Sequence, residues 1–222
     1  MTKQDREART PVGRLILVPA LLTFGVTLLR LAGELADAPP ALFSRAVGGG
    51  GALVGIIWLV PVFGVHFARR LAREEGGAPA GRTAFFAALG LLAFAAPAAA
   101  GFQRPTASPS QFLLIAGGAL AGIAVTRRGW PRLWETLLAY GLAARIPVAV
   151  VVLLGILNGW NTHYDTPPPG LPDLPPLARW LAIGVVPQLT IWTAVTVILG
   201  ALAGAAALAI APPRRAAAAA GS

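Results

Sequence analysis

The chain contains no cysteine, which excludes disulfide frameworks, thiolate metal sites and cysteine nucleophiles and says nothing of the redox compartment. Histidine is almost as scarce. With only His66 and His163, a multi-histidine metal site would need several chains, so no metal and no cofactor are expected. Walker A, HExxH, GxSxG and dinucleotide-binding fingerprints are all missing.

Charge is the next shortage. Asp, Glu, Lys and Arg make up 12% of 222 residues while 56% are hydrophobic, against roughly 25% charged in a soluble domain. A water-facing surface cannot be built from that composition. The fold class expected is therefore all-α, a polytopic integral membrane protein with a bundle of about six transmembrane helices. The charges present are unbalanced, 18 basic against 9 acidic for a net +9, but their placement points to a membrane and away from nucleic acid.

A helix needs about 20 mostly apolar residues to cross about 30 Å of hydrocarbon. Stretches near 12–31, 49–68, 83–101, 111–126, 133–158 and 178–211 meet or approach that, within a transmembrane domain over 12–211. Residues 1–11 read as a cytoplasmic segment and 212–222 as a disordered cytoplasmic tail. The Ala36-Asp37-Ala38 sequence resembles a signal-peptidase site, but Pro39 follows it and the apolar run before it is long, so the first span reads as uncleaved.

Basic residues flanking spans are retained on the cytoplasmic side. One face receives Lys3, Arg6, Arg9, Arg14, Arg69, Arg70, Arg73, Arg82, Arg127, Arg128, Arg132, Arg214 and Arg215; the other receives Arg30, Arg45, Arg104 and Arg179. That pattern places both termini inside. Trp130, Trp134, Trp160 and Trp180 fall at span ends, where indoles anchor at the interface. Richness in proline and glycine suggests a high-GC bacterium, hence a multi-pass protein of the plasma (inner) membrane. Gly51-x-x-x-Gly55, Gly118-x-x-x-Gly122 and Gly200-x-x-x-Gly204 have the spacing that lets helix backbones approach, and read as packing seams.

Arg145 is the one basic residue inside a span. An arginine at helix centre costs roughly 2.5–3.5 kcal/mol on insertion scales and normally faces an interior or an aqueous cavity. Gln188, Thr190, Thr193 and Thr196 in the last span are candidate partners, although threonines also bond their own helix. The outer run Asn158-Gly-Trp-Asn-Thr-His-Tyr-Asp165 carries the candidate catalytic residues His163, Tyr164 and Asp165, with His163 as a general base oriented by Asp165. A serine-hydrolase variant would recruit Ser108 or Ser110. Arg30 and Glu34 are spaced to pair on one helix face. With Arg45 they would line a polar mouth, so that the ligand-binding set is Arg30, Glu34, Arg45, Arg145, Gln188 and Thr193.

Two functional classes fit. The first is a non-enzymatic transporter-like or accessory membrane subunit with an outward-facing polar pocket. The alternative is an outer-leaflet enzyme using His163 and Asp165 on a lipid-linked or small polar substrate. The partners expected are membrane lipids and a membrane-protein partner or second copy.

Overall fold

The computed structural model describes residues 10–75, 77–102 and 109–211, and among them there are helices and connecting segments but no strands. We number the helices α1 (Val12–Leu35), α2 (Pro40–Phe43), α3 (Leu59–Glu74), α4 (Ala80–Phe102), α5 (Pro109–Thr126), α6 (Pro131–Asn158) and α7 (Pro176–Ile210). Four of them, α1, α4, α6 and α7, are long and apolar enough to cross a membrane, whereas α5 is a shorter apolar helix. The chain is thus a helical membrane protein. Lys3, Arg6, Arg9, Arg104, Ser108, Arg214, Arg215 and the tail 212–222 lie outside the described residues.

Helix boundaries follow from local chemistry. Proline opens α6 at Pro131, where the missing N–H costs nothing, and Gly159 closes it in the left-handed conformation at φ 59°, its N–H bonded to the Gly155 carbonyl. Across the short turn between α5 and α6, Trp134 donates its indole N–H back to the Ile123 carbonyl at 2.8 Å.

The run 49–68, expected as a span, is helical only from Leu59. Its first part is irregular backbone, with a 3-10 turn at Val47–Gly49 and Gly48, Gly49 and Gly51 at φ 73°, 78° and 74°. Hydropathy does not distinguish a buried loop from a helix, and only the glycine run marked the difference. This also corrects the reading of Gly51 and Gly55 as a helix seam. Gly55 instead faces the Arg30 guanidinium, 3.2 Å from where a Cβ would stand.

The other two seams are helix contacts. A Cβ on Gly64 of α3 would stand 2.3 Å from the Gly200 carbonyl oxygen of α7, and one on Gly204 would stand 2.6 Å from the Ala68 Cβ. Gly90 of α4 and Gly122 of α5 meet in the same way, each carbonyl oxygen 2.7–2.8 Å from the other's would-be Cβ. In a membrane, where lipid is as apolar as leucine, such backbone approach supplies the packing that association needs.

The helix α1 runs parallel to α6. Its inward face is Leu15, Pro19, Thr23, Thr27, Arg30 and Glu34, while Leu17, Val18, Leu21, Leu22 and Leu29 face outward and are more than half exposed. Polar side chains are therefore inside and aliphatic ones outside, as expected where lipid is the solvent. Thr23 shares a hydrogen bond of 2.8 Å with the Tyr140 hydroxyl of α6, and Tyr140 packs edge-on against Phe63 and Phe67 of α3.

Contacts also define the two ends of the bundle. At one end Thr10 bonds Glu74, Arg132 donates to the Thr10 carbonyl, and the Trp130 indole donates to Glu75. The starts of α1 and α6 and the close of α3 meet there. The ends of α1 and α6 lie at the opposite end, with the loops 36–58 and 159–175.

Candidate functional site

Three groups converge at that opposite end. Arg30 and Glu34 sit one helical turn apart in the last two turns of α1, paired at 2.8 Å with both side chains buried. Arg30 also donates to two carbonyls of the irregular segment, those of Ser44 at 2.8 Å and Gly49 at 3.0 Å. One guanidinium thus holds the end of α1 to the loop before α3. From the far end of the chain, His163 approaches Glu34 with its backbone N–H at 2.9 Å and its Nδ1 at 2.5 Å. The Glu34 carboxylate thus accepts three hydrogen bonds from two residues.

The carboxylate on His163 is Glu34, 129 positions away, and Asp165 has other partners. Asp165 accepts hydrogen bonds from the Asn161 and Thr162 backbone N–H groups and from the Thr162 hydroxyl at 2.7–2.9 Å. It fixes the shape of the 161–165 turn, in which Asn161 takes φ 54°. Tyr164 lies buried beside the histidine ring, 3.8 Å between centroids, and its hydroxyl donates to the Thr27 carbonyl at 3.3 Å.

Burial dominates the protonation of this cluster. It holds the His163 pKa below its ordinary 6.5, and the nearby Arg30 charge pushes the same way, against the opposing pull of Glu34. A neutral imidazole donating Nδ1–H to a carboxylate satisfies that contact. Burial likewise raises the Tyr164 phenol well above its usual range, keeping it a proton donor.

Beside this cluster is a cavity of about 530 Å³, within the range of roughly 300–1,000 Å³ typical of small-molecule sites. One wall is the irregular segment from Val47 to Ile57, and another is the His163–Thr166 turn. The remaining walls come from α1, α6 and α7, with Phe112 of α5. In α7 the contributing stretches Trp180–Val185 and Pro187–Trp192 have π-helical hydrogen bonding, a widened geometry that is uncommon and recurs at functional sites. Within these stretches Pro187 has no N–H to give, and Thr193 donates its hydroxyl to the Gln188 carbonyl five residues back.

Arg145, midway along α6, lines the cavity from beneath and is 5% exposed. Its guanidinium carbon lies 5.2 Å from the centroid of the Trp192 ring, a cation–π distance. Its Nε is buried without a hydrogen-bond partner among the described residues, as is the Oε1 of Gln188 on the same cavity wall. The seven described carboxylates are all engaged elsewhere. Glu34 holds Arg30 and His163, Asp37 pairs with Arg45, Glu74 with Arg70, Glu135 with Arg132 and Asp173 with Arg179, while Glu75 accepts from Trp130 and Asp165 caps its own turn.

Of the residues expected to bind a ligand, Arg30, Arg145 and Gln188 line the cavity, together with His163 and Tyr164. Glu34 stands behind His163. Arg45 does not line it; it donates to the Glu34 carbonyl and pairs with Asp37 at 2.8 Å. Thr193 does not line it either, and Thr190, Thr193 and Thr196 each bond a carbonyl of their own helix. Trp192 and the Gly48–Gly51 run were missed as site elements. The Thr23, Thr27, Arg30, Glu34 stripe was a signal for the inward face of α1, readable from its spacing of three and four. Among the described residues no group of three or more His, Asp or Glu is placed to hold a metal ion. The chain matches no family model, no curated protein and no solved structure.

Proposed function

We propose that the chain is a non-enzymatic, transporter-like or accessory membrane subunit that receives a small ligand from the outer side into the cavity between α1, α6 and α7. The observation that carries this reading is the wall of that cavity. Non-helical backbone at membrane depth is tolerated only where it is buried in protein or lines an aqueous space, and the irregular Val47–Ile57 segment lines the cavity, as do the π-helical stretches of α7. Interrupted helices around buried ionisable groups are a recurrent construction of membrane binding sites.

The reading includes a bundle of about six crossings, with α3 plus the irregular segment before it and α5 completing the four longer helices. It takes both termini as cytoplasmic, a reading supported by Arg14, Arg69, Arg70, Arg73, Arg127, Arg128 and Arg132 lying toward one end, and takes a bacterial source from the richness in proline and glycine. Its surroundings are lipid and a partner subunit or second copy. A test uses the natural absence of cysteine. Ala182→Cys, in the cavity wall, should react from outside intact cells with a small impermeant thiol reagent, whereas Leu199→Cys, further along α7, should not. An unreactive Ala182→Cys would remove the outward-open cavity and this function with it.

One observation favours a second reading, an outer-leaflet enzyme. The His163 ring is oriented by a buried carboxylate, which is the arrangement of a general base. The carboxylate concerned is Glu34, with Asp165 shaping the turn. Loss of all phenotype in His163→Ala with the ligand still bound would favour it.

A further inference from the structure

Resting on that reading of the cavity as a ligand site, we propose that its ligand is an amphipathic anion, with a carboxylate or phosphate head on Arg145 and an alkyl body along Val148, Val152 and Ile183.

A guanidinium carries five N–H donors and a charge that is not given up, so Arg145, 5% exposed midway along a membrane-spanning helix, needs an acceptor of opposite charge. No described residue supplies one. Each described carboxylate already has a partner, and the Trp192 ring offers a face but no lone pair. A buried cation left alone is strongly destabilising, whereas a cation with a hydrogen-bonded anion is not. The acceptor therefore lies outside the described residues, and the cavity is the route by which a ligand would supply it.

The head and the body have different complements. Near Arg145 the cavity also exposes Gln188, whose buried Oε1 lacks a donor. A hydroxyl or singly protonated phosphate would supply one. Toward the loop end the cavity is also lined by the aliphatic side chains of Val148, Val152 and Ile183. An apolar chain there gains about 0.8 kcal/mol per methylene removed from water, and small hydrophilic anions gain nothing. Arg30 is the poorer anchor for an anion, because its charge is already paired with Glu34 and it also donates to the Ser44 and Gly49 carbonyls. The head group can belong to a membrane lipid or to a free surfactant-like acid; the chemistry at Arg145 is the same.

The test is equilibrium binding of radiolabelled decanoate and decyl phosphate to the full chain in nanodiscs of zwitterionic lipid, counted against empty nanodiscs. Decanol and inorganic phosphate are the competitors. The expected result is displacement by decanol at least tenfold weaker than by decanoate, and no displacement by inorganic phosphate at equal concentration. Arg145→Gln should abolish the preference for the acid, and Arg145→Lys should retain part of it. Should Arg145→Gln fail to fold, Ala182→Phe, which fills the cavity and leaves Arg145 in place, should reduce decanoate binding at least tenfold. Equal displacement by decanol and decanoate overturns the anion, and inorganic phosphate competing as well as decyl phosphate overturns the amphiphile. Absence of any specific binding, with Ala182→Cys still reactive from outside, overturns this proposal and leaves the cavity reading standing. An unreactive Ala182→Cys overturns both. Displacement of decanoate by an anionic phospholipid built into the nanodisc identifies the lipid as a source, and its failure with decanoate still bound identifies the free acid.

Discussion

Glu34 is the residue on which the loop-rich end of the bundle depends. It accepts from Arg30 and twice from His163, and its removal leaves a buried guanidinium and an imidazole without their acceptor. Breaking a buried pair by deleting one partner costs about 3–5 kcal/mol. Glu34→Ala is accordingly expected to lower thermal stability in detergent by an amount of that order, measured as a shift in the unfolding midpoint, with Asp37→Ala at the exposed end of its pair shifting it little. The state of His163 adds a pH dependence. Its pKa is lowered in the folded chain, so the unfolded chain binds the proton more tightly, and its contribution is present above about pH 6.5 and lost as pH falls below it. A midpoint that drops between pH 8 and pH 5 in the native chain, and drops less in His163→Gln, is the expected outcome. This partnership was only half legible in the sequence. Arg30 and Glu34 declare themselves by a spacing of four, but the nearest acid to His163 in the chain is Asp165, whose side chain turns back to cap its own loop. Proximity in sequence favoured the wrong carboxylate as its orienting partner.

At the scale of elements, helices were readable because a run of apolar residues between prolines and glycines has few alternatives in lipid. The break at 49–58 was not, since an irregular segment walled by protein can be as apolar as a helix. The small-residue spacings were ambiguous for the same reason: Gly51 and Gly55 have the spacing of Gly200 and Gly204 yet lie in non-helical backbone. Their substitutions should behave differently. Gly64→Leu would push α3 away from the Gly200 backbone of α7, and Gly200→Leu would drive into the Leu137 side chain of α6, each with destabilisation of about 1–3 kcal/mol or more, visible as a lowered unfolding midpoint. Gly51→Ala has space around it, with only Ser44 within 4 Å, and is expected to incur only the left-handed backbone cost of roughly 1–2 kcal/mol.

The molecule as a whole is a bundle whose two ends differ in chemistry. One end gathers arginines around the start of α1 and the close of α3. The other is built from loops tied together by Arg30. Single-cysteine labelling gives the orientation: Asp173→Cys should react with an impermeant maleimide in intact cells, and Gly77→Cys only after permeabilisation. The reverse pattern would invert the proposed topology. The depth of Arg145 has an electrical consequence. An anion that reaches it from outside has travelled through about half of the membrane field, and an inside-negative potential opposes that movement. A full crossing by one charge is worth about 2.3 kcal/mol per 100 mV, so half of it amounts to roughly 1 kcal/mol. Occupancy of the cavity should therefore rise when the membrane is depolarised and fall when it is energised, making the bound state sensitive to voltage although no charge of the protein need move.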